Sequence, residues 1–267
     1  MHKANNTYRP NKSLGQHFLN DESICVRLIE EIDDKIDFDQ IVEIGPGPGV
    51  LTKHLYKTYK NKLHLIEYDQ RFVGLLKDTY SDISEQIHQA DVLRFDFNKI
   101  EGKLIIAGNF PYNISSQILF KAIEYKEKVS FIIGMFQKEM AQRVAAKHGN
   151  KSYGILSILM QAFYNVTYLF DVPPTVFSPP PKVMSGIIKL EYAPNKFQIL
   201  DHKVFVMMVK LAFNQRRKTM RNSLKSMIND YKISDEIIFD KRPEQLSVGE
   251  LVDLANHFVT NKKSNEA

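Results

Sequence analysis

The run Glu43-Ile44-Gly45-Pro46-Gly47-Pro48-Gly49 closes a short β-rich segment and opens a helical one. Glycines at such a turn let the backbone bend tightly and approach a ligand at distances that a Cβ would block. Glu67 ends the next strand, 22 positions after Gly45, where a carboxylate can accept hydrogen bonds from ribose hydroxyls. Asp91 ends a third strand and can accept from an adenine amine. The spacing departs from Gly-x-Gly-x-x-Gly, because Gly49 comes one position early and prolines fill the gaps. It suits a ligand with adenosine and no pyrophosphate, which points to S-adenosyl-L-methionine. The alternative is a structural turn beside two solvent-facing carboxylates.

A second group, Asn109-Phe110-Pro111-Tyr112, follows a fourth strand. Its chemistry suits methylation of an exocyclic amine, a poor nucleophile whose lone pair is delocalised into the ring. The Asn109 side-chain carbonyl and the Pro111 backbone carbonyl can accept its N–H hydrogens and aim the lone pair at a methyl group. Tyr112 can stack on the base. The gain is orientation and stabilisation of charge developing at nitrogen. Taken alone, the tetrapeptide could equally be an ordinary turn.

These residues need a sheet to bring them together. Strands are expected at 40–45, 63–67, 86–89, 103–107 and 129–135, with helices at 21–32, 50–59, 70–80 and 115–125 between them. That alternation predicts an α/β domain with a doubly wound, mostly parallel sheet. In such sheets ligands sit at the carboxyl ends of the strands, so both groups converge on one crevice. Helices at 140–147 and 153–164 and two late strands, 166–172 and 183–192, follow, the strands forming a hairpin at a sheet edge. Ala193-Pro194-Asn195 reads as a linker and 202–259 as helical. The expected organisation is a basic arm over 1–20, the α/β domain over 21–193 and a small all-helical domain over 194–267.

Charge is segregated. The chain has 267 residues and net charge +5. No acid occurs from Met1 to Asn20, and none from Phe205 to Met227. The second stretch carries Lys210, Arg216, Arg217, Lys218, Arg221 and Lys225, and helical spacing would bring four of them, Lys210, Arg217, Arg221 and Lys225, near one face. A solvated face is the ordinary meaning of such a stripe; its acid-free length favours a polyanionic partner. With 43% hydrophobic and 25% charged residues, the composition excludes collagen, rods and wholesale disorder. The polar, basic start predicts no secretory signal, and no run reaches the roughly 18 apolar residues of a membrane span. One cysteine, Cys25, and eight scattered histidines predict neither disulfide nor metal site, and a cytoplasmic location.

The chain resembles the ribosomal RNA adenine N6,N6-dimethyltransferases, and within them the bacterial small-subunit (16S) branch. The resemblance rests on Lys12-Ser-Leu-Gly-Gln-His-Phe-Leu19, Glu43-Ile-Gly-Pro-Gly47, Asn109-Phe-Pro-Tyr-Asn-Ile-Ser115, Met135-Phe-Gln-Lys-Glu139, Phe177-Ser-Pro-Pro-Pro-Lys-Val-Met-Ser185 and Phe213-Asn-Gln-Arg-Arg-Lys-Thr219, in family order. It implies a class I, Rossmann-like methyltransferase sheet of seven strands with the seventh antiparallel, and a helical C-terminal domain that recognises RNA. It implies S-adenosylmethionine as donor, S-adenosylhomocysteine as product, and two adjacent adenines near the 3′ end of 16S rRNA as acceptors. The substrate would be the 30S subunit or its precursor, met by a monomer. By position, His17 and Leu19 should border the cofactor, Gly45 and Gly47 should cradle it, Glu67 should meet its ribose and Asp91 its adenine. Asn109 stands at the reacting centre, and Phe177 should stack on the target base opposite Tyr112. Phe177 between prolines could instead plug a loop against the core. Phe110 replaces the family's usual Leu, and His17 stands where many members have Asn.

Three other activities fit parts of the pattern. An erythromycin-resistance type of enzyme would methylate 23S rRNA, a DNA adenine methyltransferase would use related motifs, and an assembly factor would bind without needing chemistry. The Phe213–Thr219 motif favours the small-subunit branch, and the intact Asn109–Tyr112 group favours catalysis.

Overall fold

The computed structural model describes residues 9–11, 14–32, 36–229 and 237–261. The chain forms two compact units, one of residues 1–141 and 167–192, the other of 142–166 and 193–267.

The first unit is built on a seven-stranded sheet. Its strands are β2 (Gln40–Ile44), β3 (Leu63–Glu67), β4 (Ile87–Gln89), β5 (Leu104–Asn109), β6 (Val129–Gln137), β7 (Tyr164–Val172) and β9 (Ser185–Tyr192), in the order β4-β3-β2-β5-β6-β9-β7. A separate short pair, β1 (Phe18–Leu19) with β8 (Phe177–Ser178), runs antiparallel. Helices α1 (Glu22–Glu30), α2 (Val50–Tyr59), α3 (Gln70–Thr79) and α4 (Ser115–Glu124) connect the strands. Pairings from β4 through β6 are all parallel, and β9 is antiparallel to β6, with Ile133 opposite Lys189. The central strands are near-continuous apolar runs: Ile41, Val42 and Ile44 of β2 and Leu104 to Ala107 of β5 are buried, as a sheet covered on both faces requires.

Strand order reverses between β2 and β5, whose register sets Glu43 opposite Ala107. The carboxyl ends of these two strands therefore carry Gly45 and Asn109 side by side at the topological switch point. Helix α2 starts from Gly49, whose φ of 88° is one that L side chains rarely adopt. Helix α3 is capped by Asp69 and buries Phe72, Val73 and Leu76 along one face.

The second unit contains α6 (Ile155–Phe163), α7 (His202–Asn214), α8 (Met220–Ser223), α9 (Lys225–Asn229) and α10 (Val248–Thr260). Helix α5 (Lys138–Ala145) spans the division at 141/142. Buried Phe205, Met208, Val209 and Ala212 give α7 a helical stripe, and α6 and α10 pack on it. Ser247 and Glu250 close a capping box at the start of α10.

Three expectations differ from this fold. Residues 142–166, which include the first three residues of β7, group with the C-terminal unit, because α6 buries its apolar face on α7 and α10. The arm 1–20 is not wholly separate: Phe18 and Leu19 are buried and paired with β8. The basic run is not one helix. Helix α7 ends at Asn214, and Thr219 adopts extended backbone before α8. A continuous helix would set Arg217 and Arg221 at i,i+4, a like-charge spacing that opposes helix formation. No helix among the described residues is long and apolar enough to cross a membrane.

Candidate functional site

A cavity of about 260 Å³ lies at the switch point of the first unit, lined by the glycine turn, Glu67, Asp91, the Asn109–Tyr112 group and the segment Leu14–Leu19. Gly45, Gly47 and Gly49 have φ of 67°, 54° and 88°, so the turn takes three consecutive alternate residues through the region that favours glycine. Glu67 is 6% exposed and pins this turn: one carboxylate oxygen accepts from the Gly47 N–H at 2.9 Å, the other from the Asp69 N–H at 2.7 Å. Burial raises its pKa, and the backbone N–H groups of Asp69, Gly47 and Tyr68 act against that rise. Three donors still leave the carboxylate with lone-pair capacity for a hydroxyl. Asp91 is half-buried, held by the Leu93 N–H at 2.9 Å, with Val92 beside it on the cavity wall.

Asn109 is half-buried at the end of β5, and its Nδ2 donates to the His17 carbonyl oxygen at 2.9 Å. That bond leaves Oδ1 as the group's free acceptor. The His17 imidazole stacks on Tyr112, centroids 5.6 Å apart and planes at 27°. Its Nδ1 meets the Pro179 carbonyl at 2.8 Å, so Nδ1 carries the proton, because a carbonyl only accepts. The Tyr112 hydroxyl is tied to the Ser185 Oγ at 2.5 Å. Phe110 is buried against Phe136 and anchors the group. Gly134 makes the room: a Cβ there would come within 2.3 Å of both the Phe110 ring and the Gly108 carbonyl.

Two residues of the set are placed differently from the rest. Phe177 is 3% exposed, faces Leu19 across the β1–β8 pair, packs with the core and is not on the cavity wall. The Pro111 carbonyl already accepts from the Ser115 Oγ at 2.8 Å and the Ile114 N–H at 3.2 Å. Both its lone pairs are engaged, which leaves Asn109 as the open acceptor. His17, Leu19, Gly45, Gly47, Glu67, Asp91, Asn109, Pro111 and Tyr112 all line one cavity.

Two features had no assigned role. Glu43 is 2% exposed on the cavity wall, with one carboxyl oxygen lacking any partner. Burial, with the Glu67 charge adding to it, pushes its carboxyl up to about 8. Its place before the glycine turn was the available signal. The other is a latch on the N-terminal segment. The Gln16 Nε2 donates to Asp69 Oδ2 at 2.9 Å, Arg71 pairs with the same carboxylate at 2.6 Å, and Arg71 Nη1 reaches the Arg9 carbonyl at 3.1 Å. Arg71 and Gln16 hold the Asp69 carboxyl down at about 2. No spacing rule links residues 53 positions apart.

In the second unit, Lys210, Arg217, Lys218 and Lys225 are exposed. Arg216 is half-buried and donates to the Asn150 carbonyl at 3.2 Å, while Arg221 lies 3.5 Å from Asp240. The six cations thus divide among the end of α7, the turn after it and two short helices.

The methionine-adenosine cofactor implied by the sequence fits this cavity. A glycine cradle, a buried carboxylate with open lone pairs and an orphaned carboxyl oxygen all face the same space.

Comparison with known proteins agrees. A protein from Cytophaga hutchinsonii, ribosomal RNA small subunit methyltransferase A, is 47% identical over 247 residues, covering 92% of this chain and 95% of the relative. Its counterpart in Flavobacterium johnsoniae is 48% identical over 243 residues, with 90% and 92% covered. The crystal structure of a dimethyladenosine transferase from Plasmodium falciparum superposes with a TM-score of 0.78 at 25% identity, over 91% of this chain and 98% of that one. The 23S rRNA methyltransferase ErmE shares the fold, with a TM-score of 0.63 at 22% identity over 88% and 99% of the two chains. The family model for ribosomal RNA adenine dimethylase matches residues 7–259. With the sheet, the switch-point cavity and the Asn109 group in place, this chain belongs to the ribosomal RNA adenine dimethylase family.

Proposed function

We propose that the chain dimethylates N6 of two adjacent adenines near the 3′ end of 16S rRNA, in the 30S subunit or its precursor, as a step in ribosome biogenesis. The observation that carries the reading is the Asn109 amide, locked through Nδ2 so that Oδ1 alone is open beside the glycine cradle. S-adenosylmethionine, when bound, supplies an electrophilic methyl on a sulfonium. Glu67 holds its ribose hydroxyls, Asp91 its adenine amine, and Gly45 and Gly47 let the backbone approach.

Asn109 Oδ1 accepts one N–H of the target amine, which turns the nitrogen lone pair toward the methyl. The acceptor strengthens as positive charge grows on nitrogen, so it acts on the transition state more than on the ground state. The Pro111 carbonyl contributes a second acceptor only where the Ser115 hydroxyl gives way. Tyr112, fixed by Ser185, offers its ring to the base, which must be splayed out of any helix to react. Exposed Lys210, Arg217, Lys218 and Lys225, with Arg216 and Arg221, supply phosphate contacts from the second unit.

Labelled methyl transfer onto purified 30S, 50S and duplex DNA tests the reading. Incorporation into 30S, mapped to paired N6,N6-dimethyladenines, is the expected result. Transfer to 50S or DNA alone would overturn it.

A further inference from the structure

Ser115 is the first residue of α4 and is 1% exposed. Its hydroxyl turns back on the preceding turn and donates to the Pro111 carbonyl, four residues earlier, at 2.8 Å. A carbonyl only accepts, so the direction of that bond is fixed. The Ile114 N–H meets the same carbonyl at 3.2 Å and takes its other lone pair. Asn109 is engaged from the opposite end. Its amide N–H donates to the His17 carbonyl at 2.9 Å, which leaves its oxygen open. Asn109 and Pro111 line the same cavity. The tetrapeptide could supply two acceptors there and presents one.

That difference matters because the target amine loses a donor with each methylation. Under the proposed function an adenine amine carries two N–H groups, its monomethylated form one and its dimethylated form none. In each transfer the nitrogen bonds to the methyl as the methyl–sulfur bond breaks. The bonding pair of the broken bond stays on sulfur, and one N–H proton leaves to water. With a single acceptor, both transfers begin from the same state, one N–H on Asn109 Oδ1. The first methyl takes a direction in which no acceptor waits. Two open acceptors would instead hold the unmethylated amine by both hydrogens. The monomethylated amine would then leave a desolvated carbonyl unmet, which disfavours the second transfer. After two transfers no N–H remains for Asn109, and the reaction stops.

We propose that Ser115 is a positioning residue that sets product specificity: by occupying the Pro111 carbonyl it fits the site for two methyl transfers to one nitrogen. The inference rests on the adenine-methylation reading and adds to it the residue that decides between monomethyl and dimethyl products.

The test compares full-length wild type, Ser115→Ala and Ser115→Thr on 30S particles, with N6-methyladenosine and N6,N6-dimethyladenosine quantified by mass spectrometry after digestion. At equal total incorporation, Ser115→Ala is expected to raise the monomethyl-to-dimethyl ratio roughly three- to tenfold, the effect of one hydrogen bond. Ser115→Thr keeps the hydroxyl and should return the ratio toward wild type. A merely structural role would slow both transfers together and leave the ratio unmoved. That result, in a Ser115→Ala chain of near-wild-type Tm, would overturn the proposal. If Ser115→Ala does not fold, the wild type alone decides. Particles reconstituted with N6-methyladenine at the target positions should then be methylated within about threefold of the rate for unmethylated ones. A larger fall would overturn the proposal. A wild type that methylates 50S and not 30S would sink the proposed substrate, while the same ratio measured on 50S would still decide the role of Ser115.

Discussion

Asn109 and His17 are joined by a hydrogen bond of 2.9 Å from the Asn109 Nδ2 to the His17 backbone carbonyl, across 92 positions of sequence. The bond sets which end of the amide faces the cavity. The same His17 places its ring on Tyr112. Under the proposed function, whatever holds residues 14–19 in place therefore bears on both cofactor retention and amine orientation.

The latch gives the first prediction. Gln16→Ala and Asp69→Asn each loosen the segment while leaving the glycine turn and Glu67 carboxylate intact. Both variants are expected to raise the cofactor Kd and to increase proteolytic cleavage before residue 20. Wild-type affinity with unchanged cleavage would show that the segment is held without them.

Phe177 separates packing from stacking. As a buried core side chain, Phe177→Ala should cost on the order of 3–5 kcal/mol of stability. Phe177→Leu, closer in volume, should retain near-wild-type single-turnover methylation. Base stacking is worth roughly 1–3 kcal/mol; a loss of that size in the Leu variant, with stability maintained, would return Phe177 to the base site.

Glu43 predicts a pH dependence. Burial raises its carboxyl from the ordinary 4.5 to about 8, so between these limits the folded chain holds a proton that the unfolded chain has lost. Stability therefore falls as pH rises through this window and levels off above about 8. Denaturant unfolding of wild type and Glu43→Gln at a series of pH values should show the difference between them growing in favour of Gln. Parallel curves would mean that Glu43 ionises normally.

Much of this was legible in sequence. The Gly45 turn, Glu67 and Asp91 follow strands whose apolar runs mark them, and each ends where the parallel sheet presents a ligand crevice. What escaped depends on pairings without periodicity. The two-residue strands Phe18–Leu19 and Phe177–Ser178 are too short to leave a pattern, so the burial of Phe177 stayed one of two alternatives. Helical spacing carried through 214–219 joined cations that the extended Thr219 separates. The Pro111 carbonyl looked open because its Ser115 partner, four residues on, reaches it only once α4 has formed.

The cations carry a fourth prediction. Replacing Arg217 and Arg221 together should weaken binding to the ribosomal particle without altering cofactor affinity. Each lost phosphate contact should reduce the log–log salt slope by roughly 0.7–0.9. Arg221 lies beside Asp240, so Arg217 alone should account for more of the change. A slope unchanged in filter binding would remove both from the RNA interface.

The central claim is that Asn109 Oδ1 is the acceptor that orients the target amine, and single-turnover methylation of 30S particles by Asn109→Ala tests it most directly. The substitution leaves Glu67, Asp91 and the basic residues of the second unit in place, so particle binding measured alongside should change little. Loss of a preorganised electrostatic group of this kind costs roughly 2.7–4 kcal/mol, or about two to three orders of magnitude in rate. A fall of that size with binding retained is the predicted result. Methyl transfer at the wild-type rate would contradict the account and leave the cavity without its proposed chemistry.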